Sequence, residues 1–170
     1  MNKNIKKLTL TALLSTLTFI MTSFFAIPTA IGGSINAGDG LVLLSGIILG
    51  PLHGGLSAAL GSAFADLISP YAIYTPATFI IKGLMAVSVA ILFKGLNKMD
   101  LKLRLLIPAI IAETIMILGY FLFEAYILDF GAIVASYEII NNIIQASVSI
   151  ILLLIIYIPL SKTKLINELN

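Results

Sequence analysis

The sequence predicts an all-α integral membrane protein, a single bundle of about six transmembrane helices with both termini in the cytoplasm. Three observations point to this fold class: the composition, the long apolar runs and the placement of the basic residues. Of the 170 residues, 59% are hydrophobic and only 11% are charged. An ordinary soluble domain carries about 25% charged residues, and it needs polar groups to cover its surface. A bilayer removes that requirement.

Six apolar segments follow one another along the chain. A helix needs about 20 apolar residues to cross the hydrocarbon core, with a range of about 17–25. In chain order, the predicted helices span residues 8–27, 39–52, 54–69, 76–93, 103–128 and 137–160. No long linker, low-complexity tract or repeat separates them, so residues 1–170 are predicted to form one domain.

Proline and glycine mark the boundaries of these helices. The first helix ends before Pro28, and a polar, glycine-rich segment leads from there to the second. The second and third helices are individually short for a crossing. The Gly50-Pro51 and Gly54-Gly55 pairs predict a turn between them, joining two short or tilted helices. Pro70 closes the third helix.

The basic residues support the same map. They lie before the first helix, between the fourth and fifth, and after the sixth, at Lys3, Lys6, Lys7, Lys94, Lys98, Lys102, Arg104, Lys162 and Lys164. The other three connections contain no Lys or Arg. The positive-inside rule then places both termini in the cytoplasm and requires an even number of crossings. A cleaved signal peptide at the start is disfavoured, because its removal would leave five crossings and an unexplained charge pattern.

Polar residues inside the predicted helices form the candidate binding site. A charged side chain at the bilayer centre costs about 2.5–3.5 kcal/mol on insertion scales, so each one needs an explanation. All but the deeper Glu113 fall in the predicted outer half of the bundle, which suggests a polar pocket that opens outward. The candidate substrate-binding residues are Asn36, Asp39, Asp66, Tyr74, Lys82, Glu113, Tyr120, Glu124, Tyr126, Asn141, Asn142 and Gln145.

Structural roles compete with ligand contact at several of these positions. Asp66 and Lys82 could form an ion pair that only holds helices together, and Asp39 could simply cap the second helix. Glu113 is expected to face the interior in a protonated or hydrogen-bonded form, with a proton-relay role less favoured. Tyr71 is expected to be an interfacial anchor.

Small residues predict close helix packing. They recur along the third helix, and small-xxx-small rows also run along the first. Such rows let helix backbones approach each other in lipid. In the first helix, the row formed by Ala12, Ser15 and Thr16 is a candidate surface for docking another membrane subunit.

Several function classes are excluded or disfavoured by what the sequence lacks. It contains no cysteine and only one histidine, His53, so neither a thiolate site nor a metal site is expected. It has no phosphate-binding loop and no hydrolase or zinc-protease motif, so no catalytic residue is predicted. The dispersed basic residues do not support nucleic-acid binding.

Three segments resemble a known transporter family. The run Ile35–Gly55, the run Gly61–Leu67 and the run Tyr74–Met85 are similar to the substrate-binding S components of energy-coupling factor (ECF) vitamin transporters. Within that family the sequence looks closest to the branch for pyridoxine and hydroxymethylpyrimidine. Riboflavin, folate and other vitamins stay open as ligands.

The resemblance implies a multi-pass protein of a prokaryotic plasma membrane that captures a vitamin and has no enzyme activity. It also implies partners: a membrane coupling subunit and two cytoplasmic ATPases, which use ATP, while this chain itself carries no cofactor. Family members often have an Ala-x-x-x-Ala row on the first helix that contacts the coupling subunit. The matching row here is Ala12 to Thr16, and Thr keeps the second position small. The segment 29–38 would correspond to the family's lid over the pocket.

Two other function classes stay open. A stand-alone secondary transporter would use Glu113 or Asp66 as a proton site. An intramembrane enzyme acting on lipid would need a nucleophile or metal constellation, and the sequence offers none.

Overall fold

The computed structural model describes residues 3–29 and 33–163, which form a bundle of long helices. The helices are α1 Lys3–Phe24, α2 Asp39–Leu67, α3 Thr75–Gly95, α4 Leu101–Leu122 and α5 Ala132–Leu160, with a 3-10 turn at Ala72–Tyr74 and a π-helical turn at Phe123–Ile127. Five helical segments in this part of the chain are long and apolar enough to cross a membrane. The all-α membrane fold class is therefore confirmed.

Helix α2 is bent back on itself. Gly50 has φ 79° and ψ −177°, which interrupts the helix, and Pro51 begins the second half. The Ser45 hydroxyl donates a hydrogen bond to the Gly54 carbonyl at 3.2 Å. Residues nine apart would lie about 13 Å apart along a straight helix, so the chain must reverse between them. We call residues 39–49 α2a and residues 51–67 α2b.

The predicted turn around Gly50 to Gly55 is thus present between the second and third helices, although the end of the second helix differs. The break falls at Gly50, before the predicted end of the second helix at residue 52. Glycine reaches a positive φ without strain, and proline suits the first position of the next helix, so the reversal begins there. The six-crossing count and the cytoplasmic termini stay predictions.

The other helix ends also differ from the predicted bounds. Helix α1 ends at Phe24 instead of residue 27, and Ile27–Pro28 instead pair with Ser34–Ile35 as a two-stranded antiparallel hairpin. Helix α5 begins at Ala132, earlier than the predicted residue 137, directly after Gly131 with φ 78°. Hydropathy marks the apolar part of a helix, whereas backbone conformation and capping decide where the helix starts and stops.

Glycines set the spacing of the helices in the core. A Cβ on Gly46 would lie 2.3 Å from the Ala86 carbonyl oxygen of α3, and a Cβ on Gly61 would lie 2.4 Å from the Ser15 carbonyl oxygen of α1. These backbones therefore touch, as the small-residue pattern predicted for the third helix. Around these contacts the core is filled by Val42, Leu43, Met85, Val89, Leu105, Met116 and Leu153.

The two ends of the bundle differ in character. At one end, Lys7, Lys94 and Arg104 surround the Gly50 turn. At the other end, the ends of α2b and α4, the first half of α5 and the hairpin meet around polar side chains. The basic residues and the polar cluster are therefore separated along the helix axes, as the charge pattern predicted.

Candidate functional site

A polar cavity lies at the end of the bundle away from the basic residues. It has a volume of about 40 Å³. Helices α2b, α4 and α5 contribute to it, together with the hairpin and the turns between helices. Its lining consists of Gly33, Ser34, Asn36, Asp66, Tyr71, Tyr74, Tyr120, Glu124, Glu138, Asn142 and Gln145.

A buried hydrogen-bond network centred on Asp39 forms one side of the cavity. The Lys82 ammonium donates to Asp39 Oδ1 at 2.6 Å, and Gln145 Nε2 donates to Asp39 Oδ2 at 2.6 Å. Gln145 Oε1 in turn accepts the Asn36 backbone N–H at 2.8 Å. The network joins α2a, α3, α5 and the segment after the hairpin. Because the ammonium neutralises the carboxylate, both charges can be buried at this depth.

This network corrects two structural interpretations of the sequence. Lys82 pairs with Asp39, so the predicted ion pair between Lys82 and Asp66 is wrong. Asp39 is not a simple helix cap either, since its carboxylate is held by side chains of two other helices. Both residues lie behind the lining side chains of the cavity and do not line it themselves. The helical periodicity of the sequence does not give the rotation of α2a relative to α2b. It therefore could not show whether Asp39 or Asp66 is the partner of Lys82.

Asp66 is held by a second network. The Thr78 hydroxyl donates to Asp66 Oδ2, and the Thr78 and Tyr120 hydroxyl oxygens lie 2.9 Å apart. The Lys82 ammonium also lies 5.1 Å from the centroid of the Tyr120 ring, a cation–π distance. Tyr120 therefore connects the Asp66 network to the Asp39 network, with its ring at the cavity wall.

Two further carboxylates face the cavity with unused acceptors. The Tyr74 hydroxyl donates to Glu124 Oε1 at 3.3 Å, and Asn141 Nδ2 donates to Glu138 Oε2 at 3.0 Å. Both glutamates are only 3% exposed, and Glu124 Oε2 and Glu138 Oε1 have no hydrogen-bond partner among the described residues. A buried acceptor without a donor is costly, so this part of the site is suited to a molecule that brings hydrogen-bond donors.

The structure brings most of the predicted site residues to the cavity. Those that line it are Asn36, Asp66, Tyr74, Tyr120, Glu124, Asn142 and Gln145. Asn141 lies beside the cavity and bonds to Glu138. Glu113 is buried deeper, outside the lining, and neither of its carboxylate oxygens has a partner in the described part of the chain.

Tyr126 was wrongly assigned to the pocket. Its side chain is 69% exposed on the outside of the bundle. The π-helical turn at Phe123–Ile127 changes the helical register at that point, which an ideal 3.6-residue period cannot anticipate. Tyr71 shows the opposite error, because the expected anchor lines the cavity.

Sequence reasoning missed Glu138, although a signal for it was present. Glu138, Asn142 and Gln145 are spaced i, i+4 and i+7, which places them on one face of α5. Gly33 and Ser34 fall in the segment 29–38 that the resemblance assigned to a lid, but they were not named individually as site residues. The described residues contain no group of three His, Cys, Asp or Glu side chains that could hold a metal ion.

The row on α1 lies on the outer surface of the bundle. Ala12 and Thr16 are exposed and Ser15 is half-buried. Together with Leu60 and Phe64 of α2b, they line an apolar groove of about 550 Å³. The row is therefore accessible to another membrane protein and is not buried inside the bundle.

Comparison with known proteins places the chain in a family. A solved structure described as the S component of a bacterial ECF transporter has the same fold, with a TM-score of 0.75 and 23% identity, covering 93% of this chain and 96% of that one. A protein of Pyrococcus woesei, described as an uncharacterized protein in the gap 3′ region, is 36% identical over 120 residues, which is 71% of this chain and 77% of that protein. The family model for the ECF-type riboflavin transporter S component matches residues 2–162. This chain therefore belongs to the family of ECF-type riboflavin transporter S components.

Proposed function

We propose that this chain captures a small, water-soluble, ring-bearing vitamin at the outer face of the membrane. In this proposal it hands the vitamin to a membrane coupling subunit and two ATPases for uptake, and it catalyses no reaction itself. The observation that carries the proposal is the buried cavity with unpaired carboxylate oxygens at the end away from the basic residues. Membership of a transporter S-component family supports it.

The lining indicates the chemistry of the ligand. Tyr71, Tyr74 and Tyr120 present aromatic rings, which favours a flat ring that can stack or make edge contacts. Glu124 and Glu138 offer acceptors that need donors, which favours hydroxyl or amino groups on that ring or its substituents. Riboflavin, with a fused ring system and a polyhydroxyl chain, has both features, and the family's name makes it the first ligand to test.

The size of the cavity implies that its wall moves when a ligand binds. Ligand pockets usually measure about 300–1,000 Å³, whereas the cavity measures about 40 Å³. A neighbouring space of about 240 Å³ under the hairpin shares Ser34, Asp66 and Tyr71 with it. Displacing the hairpin and the Tyr71 side chain would join the two spaces. The hairpin, at Ile27–Pro28 and Ser34–Ile35, would then act as the lid.

A second candidate ligand is a single-ring compound, vitamin B6 or hydroxymethylpyrimidine. The small cavity favours it, because a single ring needs less displacement of the hairpin than a fused ring system does. The same carboxylates would accept hydrogen bonds from its hydroxyl or amino groups.

The proposal is tested by titrating the purified protein with riboflavin, pyridoxine and hydroxymethylpyrimidine by calorimetry. We expect one of them to bind at or below micromolar concentration. Glu138→Gln and Asn142→Ala should each weaken that binding about tenfold, since a lost hydrogen bond to a buried group is worth about 1–2 kcal/mol. Tyr126→Ala is the control, because Tyr126 is exposed away from the cavity.

The result against the proposal is a folded protein that binds none of these vitamins at micromolar concentration. Uptake that persists in cells without any ECF ATPase, and that collapses with the proton gradient and in Glu113→Gln, would instead support a stand-alone secondary transporter.

A further inference from the structure

A basic pocket lies at the end of the bundle opposite the polar cavity. It measures about 620 Å³ and is formed where α1, the Gly50 turn, α3 and α4 meet. Its charged or titratable side chains are Lys7, His53, Lys94 and Arg104, each from a different helix or half-helix. No Asp or Glu is among the described residues that line it. Within the described ranges, the pocket therefore presents positive charge that no lining carboxylate neutralises.

Arg104 is held in a fixed orientation within this basic pocket. Its Nε donates to the Phe93 carbonyl at 2.7 Å, and its guanidinium carbon lies 3.9 Å from the centroid of the Phe93 ring. One edge of the guanidinium is thus hydrogen-bonded to the backbone of α3. The two terminal nitrogens have no hydrogen-bond partner in the described ranges, and a guanidinium edge of this kind matches the oxygens of a phosphate.

An apolar groove begins where the basic pocket ends. Pro51 and Leu52 line both spaces, and from there the groove runs between α2b and α3 with a volume of about 560 Å³. Its floor is made of small residues, Gly55, Ala59 and Gly83, and its sides are made of Leu56, Phe79, Ile80, Leu84 and Val87. Residues 51–59 of a helix cover about 12 Å, most of the roughly 15 Å depth of one leaflet.

We propose that the basic pocket and the apolar groove together bind one phospholipid with an anionic headgroup. The phosphate would lie among Lys94, Arg104 and Lys7, and an acyl chain would lie along the floor at Gly55 and Gly83. Basic pockets between helix ends on the cytoplasmic side bind anionic headgroups in other membrane proteins. The positive-inside rule predicts that this end faces that leaflet.

The continuity of the two spaces favours a lipid over other anions. A free phosphate would occupy the basic pocket but would leave the adjoining apolar groove empty. An acidic segment of a partner protein would pair with the basic side chains but would leave the apolar groove empty. Only a molecule with a charged head and an aliphatic tail fills both.

Native mass spectrometry of the purified full chain tests this proposal. Phosphatidylglycerol and phosphatidylcholine with identical acyl chains are added in turn, and inorganic phosphate is added as a competitor. We expect retention of one phosphatidylglycerol at least about tenfold above phosphatidylcholine. The double variant Lys94→Ala/Arg104→Ala should abolish this preference, and Gly83→Leu, which fills the groove, should lower retention of the lipid.

Matched controls separate specific binding from general attraction. Lys98→Ala/Lys102→Ala removes the same charge nearby but outside the basic pocket, and should leave the preference unchanged. Gly83→Ala adds a Cβ that would lie 3.5 Å from Ala59 Cβ, an ordinary contact, and serves as the folding control for Gly83→Leu. Each variant is also checked for vitamin binding, which lies at the other end and should persist.

The proposal is overturned if both lipids are retained equally, or if the control pair lowers retention as much as the pocket pair. It is also overturned if inorganic phosphate displaces the bound species completely while Gly83→Leu has no effect, since the site would then hold free phosphate. Failure to bind vitamins would not affect this test, because lipid retention is measured without them.

Discussion

At the scale of single residues, the Asp39 carboxylate is held on both oxygens by buried side chains. It is 1% exposed and accepts hydrogen bonds from Lys82 and Gln145, both of them buried. Removing one partner of a buried ion pair is strongly destabilising because the other charge is left uncompensated. The pair therefore holds the first turn of α2a against α3, and it does so next to the cavity without lining it.

The first residue-scale prediction concerns this pair. Lys82→Met should lower the free energy of unfolding by about 3–5 kcal/mol, since Asp39 would stay buried without its cation. Thermal unfolding in detergent, followed by loss of monodispersity, measures the effect. Lys98→Met, at an exposed position, is the control and should unfold near the temperature of the parent protein.

The double variant Lys82→Met/Asp39→Leu makes the test specific. It removes both charges, so it should recover much of the lost stability. If Lys82→Met were as stable as the parent protein, the account of a buried, mutually dependent pair would be wrong.

The glutamates of the site behave differently from Asp39. Glu124 and Glu138 each have one oxygen in a hydrogen bond and one without a partner in the described part of the chain. A site that serves only stability would be expected to satisfy such groups internally. Their unpaired acceptors at the cavity wall support the proposal that this surface binds a ligand.

At the scale of the helices, backbone contact between α2 and its neighbours sets the shape of the bundle. Gly46 lies against the carbonyl of Ala86, and Gly61 lies against that of Ser15. Lipid tails are as apolar as the helix surfaces, so close packing takes the place of the hydrophobic drive. The glycines therefore determine how near α1, α2 and α3 lie to each other.

Gly46→Ala tests this point. The new Cβ would lie 2.3 Å from the Ala86 carbonyl oxygen and 2.5 Å from Val89 Cγ1, so α2a and α3 must move apart. Overpacking of this kind typically costs about 1–3 kcal/mol. Thermal unfolding should show the loss, whereas the matched variant Gly95→Ala should not, because no atom of the described residues lies within 4 Å of a Cβ there. Equal stability of the two variants would contradict the packing argument.

At the scale of the whole molecule, the chain is a multi-pass membrane protein of the ECF S-component family, as its resemblance to that family predicted. The polar cavity and the basic residues occupy opposite ends of the bundle. A protein that collects a solute on one side of the membrane and assembles with partners on the other side would need such a separation. The separation also makes the orientation testable.

Cysteine labelling in intact cells tests the predicted orientation of the bundle in the membrane. The chain has no cysteine, so single substitutions can be labelled without background. Ile73→Cys, beside the cavity end and 62% exposed, should react with a membrane-impermeant maleimide from outside. Lys98→Cys, in the connection before α4, should react only after the membrane is opened. The reverse pattern would mean that the orientation is inverted.

The assembly prediction uses the exposed row on α1. Thr16→Trp should leave vitamin binding by the purified protein unchanged and should stop uptake in cells, because the bulky ring would fill the groove offered to a coupling subunit. Ile151→Trp, also exposed but on α5, is the control and should support uptake. Normal uptake by Thr16→Trp would exclude this row as the docking surface.

Much of the site could be predicted from the sequence, and the exceptions have identifiable causes. Asn142 and Gln145 were identified because polar groups in an apolar helix are rare and costly. Tyr126 was misplaced because the π-helical turn shifts the register after residue 122. The ion pair between Lys82 and Asp66, one of two alternatives, was wrong. Asp39 begins α2a and Asp66 lies near the end of α2b, and only the packing of these two half-helices decides which acid is nearer to Lys82.

By itself, the sequence determined that this protein is a helical membrane protein. It also determined that the polar cluster and most of the basic residues lie at opposite ends of the bundle. Those properties depend on how many apolar residues follow each other and where charges interrupt them, and transfer from water to lipid is nearly additive along the chain. The tertiary structure alone decided where α2 reverses, which acid neutralises Lys82, and which carboxylates face the cavity unpaired. Those outcomes depend on the rotation and spacing of helices against each other, which arise from contacts between residues far apart in sequence.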